Sequence, residues 1–258
     1  MSIFTAWRQR KAINSLRLVP LPKILGMDQA KRVIVFAPHP DDEILGCGGT
    51  LALLAQRGCK IKVIVVTDGG GAGWLGPGAV EARRLETMAA LDVVGVADVE
   101  FMNEPDGNFQ NSHAFEQKII QVLNRFKPDW IFAPSVLDYH RDHVAISQAL
   151  YSAWMESVRG ARLFHYEIWC PVPATCIVDI TIVLAQKKEA IEKYLIPLAQ
   201  RNYLHANIGL ASYRGLYIDG EQGERYAEAF TEIESEGRAQ RLFKRMLDLR
   251  LFLESRLG

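Results

Sequence analysis

Val33-Ile34-Val35-Phe36-Ala37-Pro38-His39-Pro40-Asp41-Asp42-Glu43, running on as Ile44-Leu45-Gly46-Cys47-Gly48-Gly49-Thr50, decides how the chain is read. Its opening from Val33 to Ala37 is short, apolar, uninterrupted and rich in β-branched residues, which predicts a parallel strand covered on both faces. Open α/β sheets bind ligands beyond the carboxyl ends of such strands. Pro40 has the fixed φ of a first helical position, and the three acids after it fit a first turn, where the helix dipole favours anions. A helix start alone would account for Pro-Asp-Asp-Glu. His39 adds what a helix start does not need, because an imidazole and a carboxylate three residues apart at a strand end can converge on one divalent cation.

A second corner has the same form. Asp138-Tyr139-His140-Arg141-Asp142-His143 follows the apolar Trp130-Ile131-Phe132-Ala133 and precedes a helical pattern from Val144. Three of the six histidines fall in these two strand-to-helix corners. Together the corners can supply two histidines and one carboxylate, a set that leaves a metal open to water.

The pairing of His39-Pro40-Asp41-Asp42-Glu43 with His140-Arg141-Asp142-His143, about a hundred residues later, resembles the LmbE-like (PIG-L) family of zinc-dependent N-deacetylases. Similarity continues through Arg83-Arg84-Leu85-Glu86, Glu104-Pro105-Asp106-Gly107, Val178-Asp179-Ile180-Thr181 and Ala227-Glu228-Ala229-Phe230, so it covers the chain from about Lys31 to Phe230. The resemblance implies that His39, Asp42 and His143 hold Zn2+, with another divalent metal such as Fe2+ as the alternative. Asp41 matches the general base. His140 matches the residue that polarises the carbonyl or stabilises the oxyanion and that can protonate the departing amine, with Asp142 orienting and charge-stabilising it. Arg83 and Asp106 match positions that contact substrate hydroxyls, and for each a salt bridge is an equal structural reading. Arg141 stands where the family often has proline. The implied reaction removes an acetyl group from an N-acetylated amino sugar or glycoconjugate. Neutral imidazole and carboxylate suit zinc independently of the resemblance, and an adjacent carboxylate that is not a ligand can take a proton from attacking water.

Composition narrows the field around this reading. The chain has 258 residues, 30 basic and 30 acidic, and 49% are hydrophobic, so it has ample core and no electrostatic footprint for nucleic acid. Cys47, Cys59, Cys170 and Cys176 lack C-x-x-C spacing, which argues against a thiolate zinc site and suits a reducing cytoplasm. No window is long and apolar enough for a transmembrane segment. Residues 2–17 read as a short amphipathic helix that packs on its own domain or makes peripheral contact with a membrane surface. Subunit number is not written in the sequence.

Alternating strands and helices to about residue 160 predict an α/β, Rossmann-like, mostly parallel sheet flanked by helices, with a smaller C-terminal α+β extension. Residues 1–30 read as an N-terminal helix and connector, and 31–258 as one domain with its core at about 31–160 and the extension at about 161–258. In the extension, strands are expected at Leu163 to Trp169 and Thr175 to Asp179, a helix at Ile182 to Ile196, irregular chain at Arg201 to Gly223 and a closing helix at Ile233 to Arg256. Gly71 to Gly76 spells G-x-G-x-x-G, but Pro77-Gly78 intervenes before any helix, so a mobile loop is expected, not a dinucleotide site. His140-Arg141-Asp142 is no kinase loop, because Ser147 stands where asparagine belongs. Two other classes share parts of the pattern: non-haem iron oxygenases with a facial triad, and non-catalytic sugar-binding proteins of the same fold.

Overall fold

Alternation along a single strand explains how the molecule is layered. Val33, Val35 and Ala37 belong to one hydrophobic cluster, while Ile34 and Phe36 belong to another. A pleated strand points successive side chains to opposite faces, so this segment lies at the centre of a sheet covered on both sides. The computed structural model describes residues 21–71, 78–219 and 223–233. Their elements run β1 (Lys23–Ile24), β2 (Arg32–Ala37), α1 (Asp42–Gln56), β3 (Lys60–Thr67), α2 (Ala79–Val93), β4 (Asp98–Glu104), α3 (His113–Phe126), β5 (Trp130–Pro134) and α4 (Arg141–Ser157). The extension adds β6 (Arg162–Tyr166), β7 (Cys176–Asp179), a 3-10 turn at Thr181–Val183, α5 (Leu184–Glu192), α6 (Leu195–Gln200), α7 (Tyr203–Gly215) and β8 (Ala227–Ile233).

The eight described strands form one sheet in the order β1-β7-β8-β6-β5-β2-β3-β4. Pairing is parallel except at β8, which runs antiparallel to both β6 and β7. The chain therefore forms the predicted α/β, mostly parallel sheet. From β2 it steps outward through β3 and β4, then crosses back to place β5 on the other side of β2. That reversal sets the carboxyl ends of β2 and β5 side by side, and so joins two motifs a hundred residues apart. Helices α3 and α4 cover one face through Phe115, Ile119, Ile146 and Trp154, and α1, α2 and α5 cover the other through Leu51, Leu54, Leu91 and Ile191. Among the described residues, no helix is long and apolar enough to cross a membrane.

The extension departs from its expected form. Residues 201–223 are not irregular throughout: α7 forms there, with the Asn202 side chain accepting a hydrogen bond from His205 N at 3.1 Å as its cap. The helix expected from Ile182 to Ile196 is broken into the 3-10 turn, α5 and the start of α6, with Tyr194 at the break. Strand β8 has the Ala and Glu content of a poor strand former, and its position between β6 and β7 imposes the conformation. The expected N-terminal helix, residues 72–77 of the glycine loop and all but Ile233 of the closing helix lie outside the described residues.

Candidate active site

Just past the end of β2, Pro38 O accepts hydrogen bonds from Thr67 N at 2.9 Å and Thr67 Oγ1 at 2.8 Å, which keeps the chain tied to β3 as it leaves the sheet. Pro40 is not the first helical residue, as the sequence suggested. Helix α1 begins at Asp42, and Asp41 is its cap, at φ 126° and ψ −29°. A non-glycine residue held at such a φ is strained, and residues of this kind gather at functional sites. The turn is fixed by Asp42, whose Oδ2 accepts from His39 N at 2.9 Å.

Three donors meet above this turn. His39 Nδ1 lies 3.2 Å from Asp42 Oδ2 and 3.1 Å from His143 Nε2, and His143 Nε2 lies 3.1 Å from Asp42 Oδ2. Four-coordinate zinc with nitrogen and oxygen ligands at about 2.0–2.1 Å separates neighbouring donors by roughly 3.3 Å. The triangle thus has the size of one face of such a site, and the residue types suit the ion. Electrostatics agree. Burial would lower the pKa of His39, but Asp106, Asp142 and Asp42 outweigh it and hold the ring well above its ordinary value. Burial also opposes charge on His143, yet Asp42 lifts it to about 9. Burial would raise Asp42, but the two imidazoles hold its carboxyl far below the usual range. The carboxylates around the two imidazoles thus favour positive charge at the cluster, carried by protons or by a cation that displaces them.

The far side of each imidazole is also held. His39 Nε2 lies 3.1 Å from Asp106 Oδ1 and 3.4 Å from Asp142 Oδ2, leaving Nδ1 to face the donor triangle. Gly71 N donates to Asp106 at 3.0 Å and Gly107 N to Asp142 at 2.7 Å, so two loops fix these carboxylates. Asp138 lies 3.4 Å from His143 Nδ1 and accepts from His140 N at 2.8 Å and Trp169 N at 3.1 Å. Such outer partners fix ring orientation in metal sites. The Asp142 carboxylate therefore meets His39, where the resemblance implied that it orients His140. Only the backbone of Asp142 reaches His140, its N–H donating to Nδ1 at 3.3 Å. That bond makes Nδ1 an acceptor, so the neutral ring carries its proton on Nε2. Burial and the charges of His39 and His143 hold His140 below its ordinary pKa, favouring that neutral form.

Asp41 stands beside the triangle, outside it. Burial and the Asp42 charge raise its pKa well above the ordinary carboxylate value, against the opposing pull of Arg83 and His39. Arg83 donates to Pro40 O at 2.6 Å, Gly69 O at 3.2 Å and Asp41 Oδ2 at 3.3 Å, so both readings of this residue meet here: it braces the corner and also lines the cavity. His39, Asp41, Asp42, Asp106 and His140 face the same cavity of about 150 Å³.

The rest of that cavity is what the sequence reading missed. Ile168 and Trp169 come from the segment after β6, Ile196, Pro197 and Gln200 from α6, and Tyr203 from α7. None carries a spacing signal, and all reach the site through the fold of the extension. Glu43 and Tyr194 were missed as a pair as well: Tyr194 Oη donates to Glu43 Oε1, whose other oxygen accepts from Asp41 N at 3.2 Å.

Comparison with known proteins places these features in a family. Residues 34–154 match the family model described as PIG-L: GlcNAc-PI de-N-acetylase. The uncharacterized deacetylase YaiS of Escherichia coli is 30% identical over 131 residues, 47% of this chain and 67% of that protein. A 4-oxalmesaconate hydratase of Pseudomonas putida is 26% identical over 229 residues, 74% of this chain and 88% of the hydratase. The structure of N,N'-diacetylchitobiose deacetylase from Pyrococcus horikoshii superposes with a TM-score of 0.71 at 22% identity, covering 88% of this chain and 93% of that one. For two further curated relatives, the chain spans only 25% and 46% of their length. With both motifs inside the matched segment and their donors converging on one point, the chain belongs to the PIG-L family.

Proposed function

We propose that this protein is a divalent-metal-dependent amide hydrolase that removes the acetyl group from an N-acetylated amino sugar or glycoconjugate. One observation carries the reading: His39 and Asp42, which with the buried His143 form the three-donor face, line the same cavity as Asp41, a carboxylate of raised pKa that is not part of that face. The family description and the Escherichia coli deacetylase support the same reaction class.

A zinc-class cation held by His39, Asp42 and His143 would lower the pKa of a coordinated water to about 7 and polarise the amide carbonyl. Asp41 takes the proton of the attacking water, its raised pKa bringing it closer to working pH than an ordinary carboxylate. His140 uses Nε2–H to bind the oxygen that becomes negative as the carbonyl is attacked. His140 binds that oxygen as a neutral donor, and protonated Asp41 returns its proton to the departing amine nitrogen, the step for which the resemblance also offers His140. Asp106 and Asp142 keep the His39 ring turned with Nδ1 inward. Asp106 and Arg83 also face the cavity and reach sugar hydroxyls.

The test is acetate release from N-acetylglucosamine and its glycosides, with metal content measured alongside. Chelation should abolish turnover and zinc should restore it. His143→Ala should lose metal, whereas Asp41→Asn should keep it and lose rate by about two to four orders of magnitude. Full metal occupancy and rate in His143→Ala would overturn the ligand set. The long alignment with the Pseudomonas enzyme favours a hydratase as the second reading. Consumption of 4-oxalmesaconate with no acetate from any amino sugar would select it.

A further inference from the structure

Asp41 is an unusual helix cap. An aspartate at this position ordinarily folds its carboxylate back onto the first turn, but Asp41 makes no side-chain cap bond, because its backbone is at φ 126° instead of the extended conformation that capping needs. Glu43 instead reaches back two residues to accept Asp41's own N–H at 3.2 Å, a donor that a side-chain cap would leave unsatisfied. The Asp41 carboxylate, making no cap bond, faces the cavity. Glu43 is 0% exposed, and its other oxygen is occupied by the hydroxyl of Tyr194, itself buried. Tyr194 lies at the break before α6, whose Ile196, Pro197 and Gln200 line the cavity, and Ile196 N is tied to Glu86 Oε1 at 3.0 Å.

We propose that Glu43 and Tyr194 are positioning residues: the pair holds Asp41 in its strained, uncapped conformation and couples it to the α6 wall of the substrate cavity. The proposal rests on the reading of Asp41 as general base. A carboxylate aimed at one water needs its backbone fixed, and no other described acceptor engages the Asp41 N–H. Arg83 braces the same corner from the opposite side, through Pro40 O and the Asp41 carboxylate. The C-terminal extension therefore contributes to the chemistry as well as to the wall, through one hydroxyl.

The experiment compares Tyr194→Phe, Glu43→Ala and Glu43→Gln, each alone and combined with Asp41→Asn, using acetate release from N,N'-diacetylchitobiose and metal content as readouts. Tyr194→Phe should lower kcat on the order of tenfold to a hundredfold, the scale of a misplaced reacting group, with KM and bound metal little changed. Glu43→Gln should recover most of the rate lost in Glu43→Ala, since the amide oxygen can accept the Asp41 N–H while its NH2 donates to the Tyr194 oxygen. On the Asp41→Asn background, neither Tyr194→Phe nor Glu43→Ala should cost anything more. The same fractional loss on that background would overturn the positioning role and leave the base assignment standing. Full activity in Asp41→Asn alone would remove the base and the proposal with it. Glu43→Gln as slow as Glu43→Ala would show that the charge itself is needed, which also overturns the proposal. Should Glu43→Ala fail to fold, Tyr194→Phe, which deletes a single oxygen, decides the matter.

Discussion

Glu43 shows how one residue's surroundings set its chemistry. Burial raises its pKa from 4.5 to about 7, against the hydrogen bonds from Tyr194 and Asp41 that favour the charged form. The sign follows from linkage. An acid with a raised folded pKa binds its proton more tightly when folded, so its stabilising contribution is complete below about pH 4.5 and is lost as pH rises through about 7. Glu43→Gln should therefore flatten the dependence of stability on pH between those values, gaining stability relative to the parent protein as pH rises to 8. Denaturant midpoints measured across the range check this, and parallel curves for the two proteins would contradict it. The identity of Glu43 was visible as a third acid after Pro40, but its partner was not. Tyr194 lies 151 residues away with no motif around it.

At the scale of elements, α1 is two helical pieces joined at Cys47, where φ is −148° and ψ 20°. The kink uncouples backbone groups that the protein satisfies from afar. Glu228 accepts from Gly49 N at 2.8 Å, Thr50 N at 2.7 Å and Thr50 Oγ1 at 2.6 Å. Lys187 Nζ and Asn207 Nδ2 donate to Leu45 O at 3.1 Å and 2.8 Å, and Lys187 pairs with Glu228 at 2.6 Å. Strand β8 and helices α5 and α7 thus converge on the helix that carries Asp42. Glu228→Ala would leave Lys187 charged and unpaired in the interior, at a cost of about 3–5 kcal/mol by analogy with other broken buried pairs. Thermal unfolding should register that loss, and a change under 1 kcal/mol would show that Lys187 finds water or another partner. Of the three glycines of α1, Gly46 marks close helix–sheet approach, since a Cβ there would overlap the Tyr166 ring, whereas one on Gly49 would lie 2.7 Å from Ile180, past the end of β7, and one on Gly48 3.0 Å from Ile44 of its own helix.

Over the whole molecule, the proposed catalytic groups and much of the cavity wall come from different parts of the chain. The donor triangle, Asp41 and His140 sit at the carboxyl ends of β2 and β5, while much of the wall above them belongs to the extension. Trp169 is 39% exposed, stands edge-to-face with Tyr203 at 5.8 Å and carries Arg201 over its ring at 5.5 Å. An aromatic surface at the mouth suits the apolar face of a sugar ring and adds little for a small amide. Trp169→Ala should lower kcat/KM on a ring-bearing substrate on the order of tenfold, and that on a simple acetamide much less. Equal effects on both would assign Trp169 to the scaffold that supports Asp138.

The sequence by itself determined the parts that depend on local order. Period and β-branching set the central strands, and the residue types in two strand-to-helix corners set the chemistry they can perform. A parallel sheet then constrains both corners to one edge, which is why His39, Asp41 and Asp42 could be expected to meet His140 and His143, while the role of each was implied by the family resemblance. Tertiary structure alone decided the rest. Strand β8 follows from the pairing available between β6 and β7, the kink of α1 from distant partners, and the turn of Asp142 toward His39 from the loop at Gly107. So do the aromatic wall and the Tyr194–Glu43 contact, since each is made by residues far apart in sequence that meet only when the extension packs against the core.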